Sequence, residues 1–322
     1  GSGCTNCVLD EKYNLSNCHN ENCLNIIEKN YRVFNLVNLK QNTENTFLFT
    51  FKYENTENFN NLTINILPGH HLMMRAPKFY NKNDVNNVFS DFLQIQSKTI
   101  SNKCKINREK HDKNDADLYI SRPYTPINID RNELTFDVLI KLEVYGEMSQ
   151  YLTTLKVGER TVEWKGSYGD FQWQLNQHKH LITFSQGVGL APIYSVVKSI
   201  LSNEEEEVRI QSITCFKNFA NILLRNEFYE LTKFWNFNHQ IYLAHEPCNC
   251  KQPENVCSCI KNRLKYNESI SNFRLEEENV KNILRKFLAN DIFILICGTN
   301  NFIKCIENCL IELNIKNFYK FE

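Results

Sequence analysis

The 322-residue sequence lacks net charge, a long apolar run and an initiator methionine. Lysine plus arginine equals aspartate plus glutamate, 37 of each, so overall charge steers the chain toward neither nucleic acid nor anionic lipid. No stretch approaches the ~18 apolar residues that span a bilayer. The chain opens Gly1-Ser2-Gly3, so no targeting segment can be read from its start, and membrane attachment stays unknown at this level. Cysteine, by contrast, is abundant. There are 13, an odd number. Two groups of four lie close in sequence: Cys4, Cys7, Cys18 and Cys23, then Cys248, Cys250, Cys257 and Cys259. In a chain of this length the pattern argues for a reduced, intracellular protein, cytoplasmic or on the cytoplasmic face of a membrane, rather than a secreted disulfide scaffold.

The length suggests about two domains, and the pattern changes twice. Residues 1–30 carry few apolar side chains, so they cannot fold by burial alone. Four thiols there suit a tetrahedral metal such as zinc, although Cys18 and Cys23 are spaced wider than the usual short ligand pair. A flexible cysteine-bearing tail is the simpler account. From Tyr31, short segments rich in β-branched and aromatic residues are separated by Asn-rich turns: Tyr31–Leu39, Thr46–Tyr53, Leu62–Leu67, His70–Met74, Thr135–Val144 and Thr161–Trp164. Six or so strands without long helices predict an antiparallel β-barrel or sandwich over 31–177, with a polar insertion at about 78–117. After Gln177 strands alternate with helices, which predicts a parallel α/β sheet over 178–322. Helices are expected over Ile193–Leu201, Ile222–Phe234, Glu276–Leu288 and Asn300–Leu313. A polar, Cys-rich insertion occupies about 247–272. Cys-x-Cys pairs can ligate zinc or copper, but structural zinc more often has two or more residues between its thiols. An exposed redox-sensitive loop serves as well, and no metal site is assigned.

Two stretches carry chemistry. In Arg122-Pro123-Tyr124-Thr125-Pro126 the prolines hold the backbone extended, so a cation, an aromatic ring and a hydroxyl point in fixed directions. That set suits a phosphorylated aromatic cofactor, the guanidinium taking a phosphate through charge-assisted hydrogen bonds. In the second half, Gly187-Val188-Gly189 and Cys297-Gly298 each fall between a strand and a helix. Ligands of parallel sheets bind there, where glycine turns let phosphates approach helix N-termini.

In order, Pro68-Gly69-His70-His71, Arg122 to Pro126, Ile140-Lys141, Gly146-Glu147-Met148-Ser149, Gly166 to Phe171, Gly187 to Pro192 and Cys297-Gly298 make the chain resemble the NADH–cytochrome b5 reductases of the ferredoxin–NADP reductase superfamily. The resemblance runs from about Tyr31 to the end, the two insertions excepted. Gly1–Asp10 also resembles the small oxidoreductase-like segment that precedes the reductase in some relatives. The resemblance implies an FAD-binding β-barrel followed by a Rossmann-like NAD-binding domain, with electrons passing from NADH as hydride to flavin and then singly to an acceptor such as cytochrome b5 or another haem protein. By position, Arg122 would hold the flavin phosphate, Tyr124 would pack along the ribityl and ring system, and Thr125 would bond near N5. Pro123 would stiffen the set, and Ile140 and Lys141 would lie close by. Gly146, Met148 and Ser149 would offer backbone and hydroxyl donors to the pyrophosphate. Gly187, Val188, Gly189 and Gly298 would let NADH come close, and Cys297 would stand beside the nicotinamide. Thr125 and Cys297 are thus the residues expected nearest the chemistry. No acid–base triad is required, and the eight histidines carry no catalytic role.

Departures from that pattern gather on the nicotinamide side. Val188 replaces a threonine, and Cys-Gly-Pro-Pro-Met has become Cys297-Gly298-Thr299-Asn300-Asn301. Asn221 occupies the position of an acid that favours NADH, which leaves NADPH open. FAD binding is therefore better supported at this level than NADH turnover. The alternative is a reductase-fold interaction protein, or a redox or metal sensor, with reduced or lost turnover.

Overall fold

The computed structural model describes residues 24–27, 30–54, 61–78, 89, 118–158, 161–246 and 258–321. Cys4, Cys7, Cys18, Cys23, Cys248, Cys250 and Cys257 lie outside them, as does nearly all of the 78–117 stretch. Among the described residues no cluster of His, Cys, Asp and Glu is placed to hold a metal. Nor is any helix there long and apolar enough to cross a membrane.

Alternation of buried aromatic and outward polar side chains builds the first half. In chain order the elements are β1 (Leu24–Asn25), β2 (Arg32–Gln41), β3 (Thr46–Tyr53), β4 (Leu62–Thr63), β5 (His71–Pro77), β6 (Tyr119–Tyr124), β7 (Pro126–Asp130), β8 (Thr135–Lys141), α1 (Glu147–Leu152) and β9 (Thr161–Tyr168). β1 and β4 make a separate two-residue parallel pair. The other seven strands form an antiparallel sheet in the order β6-β5-β9-β2-β3-β8-β7. Its two edge strands are joined through Thr125 alone, so the sheet curls into the expected barrel. On β3 the period of two sends Phe47, Phe49 and Phe51 inward. They meet Phe34, Phe136 and Trp164 in one core, with the Trp164 ring 5.0 Å from Phe51 and 5.1 Å from Phe136. The Arg122–Pro126 stretch, expected to have an extended backbone, is the end of β6, Thr125 and the start of β7. Pro123 and Pro126 are tolerated because both strands are sheet edges, where a missing N–H costs no ladder bond. The strand expected over Leu62–Leu67 is paired only at Leu62–Thr63.

The second half contains β10 (His180–Gln186), α2 (Leu190–Leu201), β11 (Arg209–Phe216), α3 (Arg225–Leu231), β12 (Phe237–Leu243), α4 (Ser258–Lys261), β13 (Ser269–Ser271), α5 (Glu277–Leu284), β14 (Ile292–Cys297), α6 (Asn300–Glu312) and β15 (Phe318–Phe321). The sheet is parallel throughout, in the order β13-β12-β11-β10-β14-β15. Strand order reverses between β10 and β14, which opens a crevice at their carboxyl ends. The helix expected over Ile222–Phe234 is only Arg225–Leu231. Leu224 takes a left-handed φ of 49°, which an α-helix cannot include. Edge strands β13 and β15 escape sequence reading because three or four residues carry too little periodicity.

The two halves share a core. Ile127 and Leu139 of the barrel pack with α2 and the parallel sheet. Phe171, leading from β9 toward β10, packs with its ring tilted 5.1 Å from Tyr319 and edge-on 5.4 Å from Phe321. Lys198 of α2 donates to the Asn128 side chain at 2.7 Å. His70 ties β5 to the same connection, its ring nitrogens 3.1 Å from Ser167 Oγ and 3.1 Å from the Phe171 carbonyl.

Candidate functional site

A cavity of about 920 Å³ opens at the carboxyl ends of β10, β11 and β12 and is bordered by the barrel residues Thr43, Asn45, Thr46 and Lys141. It coincides with the crevice that the strand-order reversal predicts. Of the residues singled out from sequence, Lys141, Gly187, Val188 and Asn221 line it.

The two glycines of the Gly187-Val188-Gly189 turn are needed for different reasons. Gly187 has φ +57°, and a Cβ placed on it would meet nothing within 4 Å. Its requirement is conformational, and it leaves the cleft open at the turn. Gly189 sits in ordinary helical conformation, φ −61° and ψ −7°. A Cβ there would lie 2.9 Å from the carbonyl carbon and oxygen of Cys297 and 3.0 Å from the Gly298 nitrogen. Gly189 therefore lets the β10 and β14 loops touch, backbone against backbone. Gly298 is packed as tightly, its virtual Cβ 2.8 Å from Phe302 Cδ1 and 3.0 Å from Gln186 Cβ. Across this junction Thr299 Oγ1 donates to Gln186 Oε1 at 2.7 Å. Sequence reading passed over Gln186, although it adjoins a glycine already singled out, and took Thr299 only as a departure from the family's run.

Cys297 ends β14, largely removed from water, and burial pushes its thiol up to about 12. Cys215, at the end of β11, is pushed to about 12 for the same reason. Both thiols therefore keep their protons at neutral pH, and the thiolate is the reactive form of cysteine. With native protein at pH 8, iodoacetamide is expected to label the exposed Cys259 and to leave Cys215 and Cys297 unmodified. Peptide mass spectrometry reads this directly, and equal labelling of Cys297 and Cys259 would contradict the shielding of the half-buried Cys297.

The other half of the predicted set lies on the barrel. α1 packs against β6, so the helix that carries Met148 and Ser149, with Gly146 at its start, lies beside the strand that carries Arg122 and Tyr124. Arg122 is exposed, and its Nη1 donates to the Ser121 carbonyl at 2.7 Å. Among the described residues no carboxylate pairs with it, so its charge is available to an anion. Pro123 is exposed, and Thr125 is half-buried between the edge strands. Tyr124 packs edge-on to Trp164 at 6.0 Å, and burial pushes its phenol up to about 12, so it stays protonated and able to donate. Ser149 Oγ accepts the Glu143 N–H at 2.9 Å, which fixes the hydroxyl while leaving its proton free to donate. Gly146 N-caps α1, and Met148 is buried in the barrel core.

Alternation along β8 separates two neighbours that sequence reading treated together. Ile140 is only 2% exposed, inside the barrel, so its side chain cannot reach a ligand. Lys141 points outward to the cleft and pairs with Glu143 at 2.8 Å. The Gly187–Gly189 turn packs against β8, and β8 thereby links the barrel half of the site to the crevice. The donor set fits FAD on the barrel, where an available guanidinium, an aromatic ring and a helix start lie on elements in contact. It fits a dinucleotide in the cleft, where a glycine turn opens onto a cavity with aromatic walls at Phe216, Tyr242 and Phe302.

Comparison with known proteins agrees with this geometry. Residues 111–173 match the oxidoreductase FAD-binding domain family, and residues 184–308 match the oxidoreductase NAD-binding domain family. An NADH-cytochrome b5 reductase-like protein of Homo sapiens is 33% identical over 195 residues, which cover 61% of this chain and 58% of the human protein. Its Mus musculus counterpart is 25% identical over 335 residues, covering 98% of this chain and 89% of the mouse protein. Among solved structures, the cytochrome b5 reductase domain of Ulva prolifera nitrate reductase superposes with a TM-score of 0.65 at 19% identity. That match covers 92% of this chain and all of the other.

Proposed function

Because the chain belongs to the NADH–cytochrome b5 reductase family of FAD- and NAD-binding oxidoreductases, we propose that it carries electrons from NADH to a one-electron acceptor such as cytochrome b5 or another haem protein. FAD sits in the 31–177 barrel and NADH on the 178–322 half. Bound FAD supplies the chemistry, since it takes up two electrons together and gives them out singly. The observation that carries this reading is the packing of the Gly187–Gly189 turn against β8, which sets the dinucleotide crevice beside the barrel that holds Arg122, Tyr124 and Thr125.

The residues then have distinct tasks. Arg122 holds phosphate by charge-assisted hydrogen bonds, and the first turn of α1 supplies further donors. Tyr124, backed by Trp164, presents a flat apolar face, and Thr125 offers its hydroxyl at the hinge between β6 and β7. Gly187 admits the nicotinamide end of NADH, while the Gly189–Cys297 contact fixes the distance between the two loops that flank it. Cys297 acts by shape and exclusion of water, because its thiol keeps its proton. The protein's part is positioning: reacting atoms held at about 3–3.5 Å react far faster than free ones. Cys215, Cys297, Cys305 and Cys309 are thiols rather than disulfides, which suits a reducing intracellular compartment.

The test is the visible spectrum under anaerobic conditions. Purified protein is expected to be yellow, to bleach on addition of NADH and to recover colour when cytochrome b5 is added. Arg122→Ala is expected to weaken FAD binding roughly 10- to 100-fold, the loss of one or two hydrogen bonds to a charged group. Yellow protein that NADH does not bleach would sink the enzyme reading, and full flavin occupancy in Arg122→Ala would sink the role of that arginine.

A further inference from the structure

In doubly wound dinucleotide-binding sheets, a carboxylate beyond the strand that follows the glycine turn bonds the ribose 2′-hydroxyl. A cation in that neighbourhood accommodates a 2′-phosphate instead. Here the strand is β11, and the residue after it is Lys217. The next strand, β12, leads through Ala244 to His245, whose N–H donates to the Lys217 carbonyl at 2.7 Å. That bond holds the two side by side at the cleft. Arg274, entering α5, lines the same cavity, and so does the neutral Asn221. All three basic side chains are exposed, and among the described residues none forms an ion pair.

The acids close to this end are mostly committed elsewhere. Glu246 accepts the Phe219 N–H at 2.5 Å and lies 3.4 Å from Arg263. Glu276 forms a reciprocal capping box with Asn279 at the start of α5. Glu276 and Glu277 both lie on the lining, so two carboxylates face the basic side chains of Lys141, Lys217, His245 and Arg274 there. The loop that presents Lys217 and Asn221 is also held rigidly. The Phe219 ring has guanidinium groups against it, Arg263 at 3.7 Å and Arg225 at 4.5 Å, and Asn218 Oδ1 accepts the Asn221 N–H at 3.2 Å. Basic donors on one lining such as Lys217, His245 and Arg274, none in an ion pair among the described residues, are what a phosphate dianion needs.

We propose that Lys217, His245 and Arg274 form a 2′-phosphate subsite, so that the protein takes NADPH as well as NADH. The inference rests on the reading of the cleft as the dinucleotide site. It is tested on the purified flavoprotein by calorimetry with three fragments: 5′-AMP, 2′,5′-ADP and 3′,5′-ADP. The expected result is 2′,5′-ADP binding about tenfold or more tighter than 5′-AMP, the worth of one charged contact. It should also bind tighter than 3′,5′-ADP, which carries the same charge one carbon away. Lys217→Ala with Arg274→Ala should bring the ratio of 2′,5′-ADP to 5′-AMP affinity toward one. Equal affinity for 5′-AMP and 2′,5′-ADP overturns the subsite and leaves the dinucleotide reading standing. So does equal affinity for the two diphosphates, or a ratio untouched by the double substitution. If none of the three binds, the dinucleotide reading itself fails.

Discussion

Gly189→Ala should slow NADH-driven flavin bleaching about 100-fold, the effect of moving a positioning element by roughly an ångström. The added Cβ falls 2.9 Å from the Cys297 carbonyl carbon and oxygen. These are backbone atoms in a parallel sheet and cannot rotate aside. The loops after β10 and β14 must separate, and the crevice between them widens where the nicotinamide has to be held. Overpacking of this kind costs about 1–3 kcal/mol in stability, read as a lowered unfolding midpoint. Gly187→Ala is the internal comparison. Its Cβ meets nothing in the protein, so the left-handed backbone is penalised by about 1–2 kcal/mol and the methyl group projects into the opening that admits NADH, which raises the NADH concentration needed. At saturating NADH the two substitutions therefore separate displacement of the loops from crowding of the cleft. Stopped-flow bleaching that at saturating NADH is equally slow in both variants, or normal in Gly189→Ala, would show that the loop contact does not set the geometry.

Trp164→Ala should be the most destabilising single substitution in the barrel, at about 3–5 kcal/mol. Its side chain is fully buried and meets Phe51, Phe136 and Tyr124 edge-on. No hydrogen bond is lost, because among the described residues its indole N–H has no partner. The whole cost is packing. It reaches the site because Tyr124 loses the surface that holds its ring, so the purified variant should also carry less FAD. Trp164→Phe keeps an aromatic wall and removes an unsatisfied buried donor, so it should retain most of both properties. Chemical denaturation of flavin-free protein separates the fold term from ligand stabilisation, which otherwise adds by mass action. A loss below about 1 kcal/mol, far under the usual cost of emptying such a site, would refute the account.

Much of this molecule is legible in its sequence, for reasons that differ by region. The inward run Phe47, Phe49, Phe51 states its period of two plainly, and the strand–glycine–helix order around Gly187 states a parallel sheet. Other elements are silent. β13 and β15 pair by backbone hydrogen bonds whose partners lie far along the chain, and nothing local marks them. The end of β6 was visible as a motif but not as an edge strand, since its neighbour β5 is reached across more than forty residues. Within the site, Ile140 and Lys141 are adjacent in sequence and opposite in space. One faces the core and the other the cleft, and only the register of β8 against β3 decides which.

The sequence by itself determined two halves, their order, and the chemical kit of Arg122, Tyr124, Thr125 and the paired glycines, because periodicity and residue type are local properties. Tertiary structure alone decided what each piece touches. It brought Lys217, His245 and Arg274 to the lining of one cavity from three separate connections of the sheet. It also assigned Gly187 to an open turn and Gly189 to a backbone contact with Cys297, 108 residues away in the chain. Long-range packing makes that distinction: a glycine's need for space depends on the atoms that fold against it.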